Sequence, residues 1–251
     1  MNFAKKAARR LGRALGGAGV RHQGVLLPPV DLRFCGADFK NDAFFLASAR
    51  AEAERLRDSC GLASHSRVLD VGCGAGRLAI GLMTLPAALH SYVGVDVTER
   101  CVAWCQRHLT NADPRFQFQH LDIGNARYNP HGRTLDDLFR LPFADRSFEI
   151  ITLYSVFSHM TEADATIYLA EFARLLAPGG TVFLTAFVEE GVPTFEENPA
   201  SYRADWQGAL HCVRYEKTHF AHMVGEHGFR IATFGYGQAT DGQSELYLCA
   251  E

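Results

Sequence analysis

From residue 66 onward, short runs rich in β-branched and aromatic residues alternate with amphipathic stretches of helical period. The strand-like runs are "SRVLDV" (66–71), "SYVGVD" (91–96), "RFQFQHL" (115–121), "FEIITLY" (148–154), "GTVFLTAF" (180–187), "FRIATFGY" (229–236) and "SELYLCA" (244–250). Strands that alternate with helices pair in parallel and are covered on both faces, which predicts a doubly wound α/β fold. Only "GQATDGQ" separates the last two runs. That is too short for a parallel crossover, so the expectation is a seven-stranded, mostly parallel sheet with an antiparallel last strand.

Helix ends are also readable. Thr98 is placed to cap a helix running to about Leu109, and Thr161 with Asp164 reads as a capping box opening "EADATIYLAEFARLL". Pro178-Gly179-Gly180 should stop that helix and turn into the next strand. Ahead of the sheet, "NDAFFLASARAEAERLRDSCGL" predicts one helix or two. Residues 188–213, "VEEGVPTFEENPASYRADWQGALHCV", lack periodicity and read as a lid or binding segment. The expected organisation is a basic arm and helical cap over 1–62, then a core over 63–251 with the lid inserted at 188–213.

Composition changes this picture in one place. The chain has 251 residues, 47% hydrophobic and 21% charged, with a net charge of −3, as in an ordinary globular protein; nucleic acid is not an expected partner. Yet residues 1–30 hold six Lys or Arg and no acid, leaving about −9 for the remainder. "MNFAKKAARRLGRALGGAG" reads in two ways. It is a basic amphipathic helix that makes peripheral membrane contact through residues 1–20 or covers the active site, or it is a solvated arm ended by Gly16, Gly17 and Gly19. No apolar run approaches a membrane span. Seven scattered cysteines without a CxxC pair favour a reduced, cytoplasmic chain over a disulfide framework or a zinc site.

The candidate chemistry centres on "VLDVGCGAGR" (68–77). Three glycines in five positions, directly behind a strand, let the backbone take positive φ and bring bare N–H groups to a ligand. A dinucleotide would want GxGxxG, whose third glycine falls here on Arg77, and Asp70 would repel a pyrophosphate. A ligand with positive charge beside the turn fits better.

With these residues in view, the stretch resembles the first motif of the class I S-adenosylmethionine-dependent methyltransferases, a Rossmann-like fold. The likeness continues in order through Asp96 at the end of the second strand, Asp122 after the third, "LPFADRSFEIITLYSVFSHM" around the fourth and "LLAPGGTVFLTAF" into the fifth. It implies that Asp70, Gly72, Gly74 and Gly76 cradle the methionine end of S-adenosylmethionine. Asp96, with Val97, would take the ribose hydroxyls; Asp122, with Ile123, the adenine; and Tyr154 would also border the cofactor. "LLPPVDLRFCGADFKND" and the stretch from Ala126 to Met160 further resemble a bacterial subgroup acting on sugars, glycolipids or other secondary metabolites. That implies a small-molecule or glycolipid acceptor.

The fourth-strand exit offers His159 as a general base for a hydroxyl acceptor, or as a structural histidine bonded near Thr161. Tyr128, His159 and Trp206 are the expected acceptor-side residues. "YNPHG" is either a loop over the ligand or a surface turn. The family's NPPY or DPPY amino-methylation motif does not follow strand four, and no carboxylate stands there to hold magnesium. No metal is expected, although His219 and His222 sit three apart on one predicted helix. Two rivals remain: methylation of a small amine, and a scaffold that binds the cofactor without turnover.

Overall fold

The computed structural model describes residues 17–34, 36–86, 89–136, 138–202 and 208–251. In chain order these form β1 (Val20–His22), β2 (Val25–Leu27), α1 (Asp42–Ser59), β3 (Arg67–Val71), α2 (Arg77–Thr84), β4 (Ser91–Asp96), α3 (Glu99–Cys105) and β5 (Phe116–His120). After them come β6 (Phe148–Leu153), α4 (Glu162–Leu175), β7 (Leu176–Glu189), β8 (Phe195–Glu197), β9 (Val213–Glu216), α5 (Lys217–Gly225), β10 (Phe229–Gly235) and β11 (Ser244–Ala250). Most of the basic arm, residues 1–16, lies outside the described residues. No helix among those described is long and apolar enough to cross a membrane.

The described chain divides into two compact units. One comprises residues 17–65 and 73–121. Its α1 starts where the Asn41 side chain accepts from the Phe44 N–H at 3.0 Å, and it buries Phe45, Leu46, Ala49, Ala53 and Leu56. α2 crosses α1 at Gly81, where a Cβ would fall 1.9 Å from the Ala49 carbonyl oxygen. At the same junction Arg77 reaches Glu52 at 2.6 Å, both nearly buried. β4 and β5 pair in parallel, with Asp96 opposite His120. The β1–β2 hairpin, turning at Gln23-Gly24 with both φ positive, was not expected; its strands are three residues each, too short for periodicity to show.

Thr98 corrects one expectation. It occupies the N-cap position of α3, but its side chain makes no capping bond. Asp96 intervenes: it accepts the Thr98 N–H at 2.7 Å and also the Thr98 hydroxyl. Donating to that carboxylate turns the hydroxyl towards Asp96, and its oxygen accepts from no N–H of the first helical turn. The helix still reaches the predicted region, finishing in a wide turn over Gln106–Thr110.

The other unit comprises residues 66–72 and 122–251. Its strands lie in the order β10-β11-β7-β6-β3. β3, β6 and β7 are parallel, while β11 runs antiparallel to both β7 and β10, as the short connection required. Thr161 caps α4 as expected, accepting from the Asp164 N–H at 3.1 Å. β7 begins earlier than the pattern suggested, immediately after α4. Pro178-Gly179-Gly180 therefore lies inside the strand, where the pairing jumps from Phe148↔Leu176 to Ile150↔Thr181.

The unpatterned 188–213 segment is the main departure. Beyond the seven expected strands it contributes β8 and the start of β9, and β9 pairs in parallel with the end of β7. Each piece is three or four residues, below the length at which alternation is visible. Its core is polar as well as apolar: buried Arg214 pairs with Glu189 at 3.2 Å and with Glu196, and lies over the Tyr202 ring.

Candidate functional site

The three motif glycines all take positive φ: +76° at Gly72, +51° at Gly74 and +77° at Gly76. Their surroundings differ. A Cβ on Gly72 would fall 2.4 Å from Val156 Cγ2, and one on Gly76 would fall 2.6 Å from Leu109 Cδ1 and 3.0 Å from Cys105 Sγ. On Gly74 it would meet nothing within 4 Å. Two of the glycines are thus fixed by packing as well as by conformation. Gly74 is the one whose bare backbone faces open space, the property a ligand cradle needs. Just before the turn, Asp70 is buried near the end of β3, paired in register with Thr152 of β6.

Asp96 is held from two sides. Its Oδ2 accepts the Gly74 N–H at 2.7 Å and its Oδ1 the Thr98 N–H at 2.7 Å. Burial pushes its pKa up, while these donors pull it down. The two N–H bonds fix the carboxylate plane, and each oxygen has a second lone-pair direction for a hydroxyl donor. The Thr98 hydroxyl that shares it can rotate away. Val97 is half-buried, with its carbonyl 3.1 Å from His120 Nε2.

In the other unit, Asp122 is exposed, and its Oδ1 accepts from Asn129 Nδ2 at 3.2 Å. Buried Ile123 forms a bridge with Arg133 and accepts from the same Asn129 amide at 3.0 Å. The "YNPHG" stretch is thereby tied back onto the residues that follow β5. Tyr154, half-buried, directly follows β6.

His159 and Tyr128 are brought together, their rings edge-to-face with centroids 5.5 Å apart. The Asn125 side chain places both: its Nδ2 donates to the His159 carbonyl at 2.9 Å and its Oδ1 accepts the Tyr128 N–H at 3.1 Å. His159 Nδ1 lies 3.0 Å from the Leu210 carbonyl. A carbonyl only accepts, so Nδ1 carries the ring proton and Nε2 is the basic nitrogen. Burial, with smaller contributions from nearby Arg127 and His211, lowers the His159 pKa to about 4. The ring is neutral at pH 7. It does not bond the start of α4; the Thr161 side chain serves the Asp164 N–H instead.

Of the lid aromatics, Phe195 packs on Tyr215 and Tyr202 on Phe187, so both anchor the segment in the core. Trp206 lies outside the described residues. His211 Nε2 meets Arg127 Nη2 at 3.3 Å, and the Arg127 guanidinium lies over the Tyr128 ring. His219 and His222 face different carboxylates, Glu162 at 3.0 Å and Glu226 at 3.5 Å. Among the described residues no three metal-type side chains gather. Sequence reasoning missed Asn125, Asn129 and Leu210. The two asparagines sit in a turn-rich stretch that could have flagged them, but nothing local marks Leu210, 51 residues from its partner.

A methyltransferase domain family matches residues 69–184. An arsenite methyltransferase from Aquipseudomonas alcaligenes is 29% identical over 191 residues, covering 73% of this chain and 51% of that protein. A 27-O-demethylrifamycin SV methyltransferase from Amycolatopsis mediterranei is 28% identical, covering 61% and 47%. The chain thus spans about half the length of the curated relatives it matches. Among solved structures, an S-adenosylmethionine-dependent methyltransferase of Leishmania major shares the fold, with a TM-score of 0.59 and 16% identity over 88% of this chain and 80% of that one.

Proposed function

We propose that the chain, whose residues 69–184 match a methyltransferase domain family, is a class I S-adenosylmethionine-dependent methyltransferase that methylates a hydroxyl of a small molecule or glycolipid. The reaction needs no metal, and His159 serves as the base. The observation behind the base assignment is the His159 tautomer: the Leu210 carbonyl holds the ring proton on Nδ1, and Nε2 is the nitrogen that can take another.

The residues fit the cofactor. Gly74 leaves open the space a Cβ would take, with nothing within 4 Å of it, and Asp96 offers an oriented carboxylate to a pair of hydroxyls. In this reading Asp70, Gly72, Gly74 and Gly76 hold the methionine end, Asp96 and Val97 the ribose, Asp122 and Ile123 the adenine, with Tyr154 at the same edge. S-adenosylmethionine supplies an electrophilic methyl on a sulfonium.

His159 Nε2 accepts the hydrogen bond of the hydroxyl and so aims an oxygen lone pair away from the ring. A pKa near 4 makes it a weak base toward a resting hydroxyl. Were the oxygen to take up the methyl as the sulfonium C–S bond broke, however, it would become oxonium-like and its proton strongly acidic. Nε2 would then be placed to take that proton. Tyr128 supports the imidazole edge and, with Trp206, would bound the acceptor.

The same low basicity favours a second reading, methylation of a small amine that attacks without help from a base. Labelled-methyl transfer to a panel of phenols, sugars and amines separates the two. With a hydroxyl acceptor, His159→Gln should lower kcat by about 10²-fold, and the wild-type rate should be flat from pH 6 to 8. Equal rates for wild type and variant on every hydroxyl acceptor would end the base assignment.

A further inference from the structure

Ser155 is a non-glycine residue in the left-handed region, with φ at +58°, directly after Tyr154 at the β6 exit. An L-residue does not rest there unless its surroundings hold it. A closed ring of hydrogen bonds does so. The Ser155 N–H donates to Thr185 Oγ1 at 2.8 Å, the Thr185 hydroxyl donates to Gln243 Oε1 at 2.9 Å, and Gln243 Nε2 returns to Ser155 Oγ at 2.8 Å. Ser158 Oγ joins Ser155 Oγ at 3.1 Å. Thr185, Gln243 and Ser158 are buried, so the ring is shielded from competing water.

The ring has a rigid base. Thr185 is on β7, Gln243 immediately precedes β11, and these strands pair with Glu245 opposite Thr185. The held backbone leads to Val156, whose Cγ2 occupies the place a Cβ on Gly72 would need. The conformation of Ser155 therefore sets both what Tyr154 presents and how Val156 covers the first motif glycine.

We propose that Gln243 is a positioning residue for the cofactor. Bridging Thr185 and Ser155, it keeps the 154–156 turn left-handed and so shapes the Gly72 side of the cofactor seat. This rests on the S-adenosylmethionine reading above. Gln243 lies 88 residues from Ser155 and outside every motif of the glycine turn and the strand exits.

Calorimetric titration with S-adenosylhomocysteine tests it, with thermal melting recorded on each variant. Gln243→Met keeps the side chain's length but offers neither the acceptor that Thr185 uses nor the donor that reaches Ser155. It should weaken binding about tenfold, and Gln243→Leu by more. Glycine adopts the left-handed conformation unaided. In a Ser155→Gly background, then, the same Gln243→Met change should cost about twofold or less. A purely structural Gln243 would lower Tm and leave that background just as sensitive, because glycine restores no packing. Two results overturn the inference while wild-type binding stands: unchanged affinity in both Gln243 variants, or an undiminished effect in the Ser155→Gly background. Absence of wild-type binding would instead remove the cofactor reading, and the inference with it.

Discussion

Asp96 and His159 are both polar groups drawn in from solvent, and they are held in opposite ways. Asp96 is fixed by backbone N–H groups from its own surroundings, one two residues ahead and one from the glycine turn. Those donors favour its charged form and counter the desolvation that works against it. His159 is fixed by a carbonyl 51 residues away at Leu210, itself left-handed at φ +52° in the lid segment. Its burial outweighs the backbone hydrogen bonds that favour the charged ring, and its pKa falls to about 4. The first arrangement is built at a strand end and the glycine turn, whereas the second depends on the 188–213 segment.

The largest effect that would sharpen this contrast is in stability against pH. The unfolded chain takes up a proton on His159 near 6.5, whereas the folded chain refuses it until about 4. The unfolded state then binds more protons across that window, so stability rises with pH. The native state is unpenalised above about 6.5 and loses up to about 3 kcal/mol as the pH falls to 4. Urea melts at pH 7 and pH 4.5 should show this slope in the wild type and less of it in His159→Gln. Parallel slopes in the two proteins would mean that His159 is not the desolvated group described.

Next in size is Asp96→Ala. Removing two charge-assisted hydrogen bonds to a bound ribose should weaken S-adenosylhomocysteine about 10²-fold by calorimetry. Unaltered affinity would detach Asp96 from the ribose.

The smallest test divides the glycines. Gly76→Ala adds a Cβ within 3.0 Å of both Leu109 and Cys105 and should cost about 2 kcal/mol of stability in a denaturant melt. Gly74→Ala, facing open space, should cost about 1 kcal/mol from conformation alone but weaken cofactor binding more than its stability loss suggests. Equal behaviour of the two variants in both assays would erase the distinction between a packing glycine and a cradle glycine.

Much of the proposed cofactor side was legible because its parts are near in sequence or tied to strand ends. Alternating runs located the strands. The glycine spacing allowed positive φ at Gly72, Gly74 and Gly76, and the acids at 96 and 122 stand at or just after strand ends that periodicity can find. The lid was illegible for the converse reason. β8 and the start of β9 are too short to show a period, and the segment is organised by Arg214 with Glu189 and Glu196, ion partners brought together only by the fold. Thr98 misled because its sequence context favours a cap, while Asp96 competes for its hydroxyl.

The sequence by itself determined the order of strands and helices, the antiparallel ending and the conformation of the glycine turn. These follow from short-range periodicity and from backbone sterics, which act within a few residues. Only the tertiary structure decided which glycine is bare, which nitrogen of His159 is basic and how weak that base is, and that Gln243 secures Ser155. Each of those depends on desolvation and on hydrogen bonds between residues 51 to 88 positions apart, or on which side chain fills the space beside a Cα.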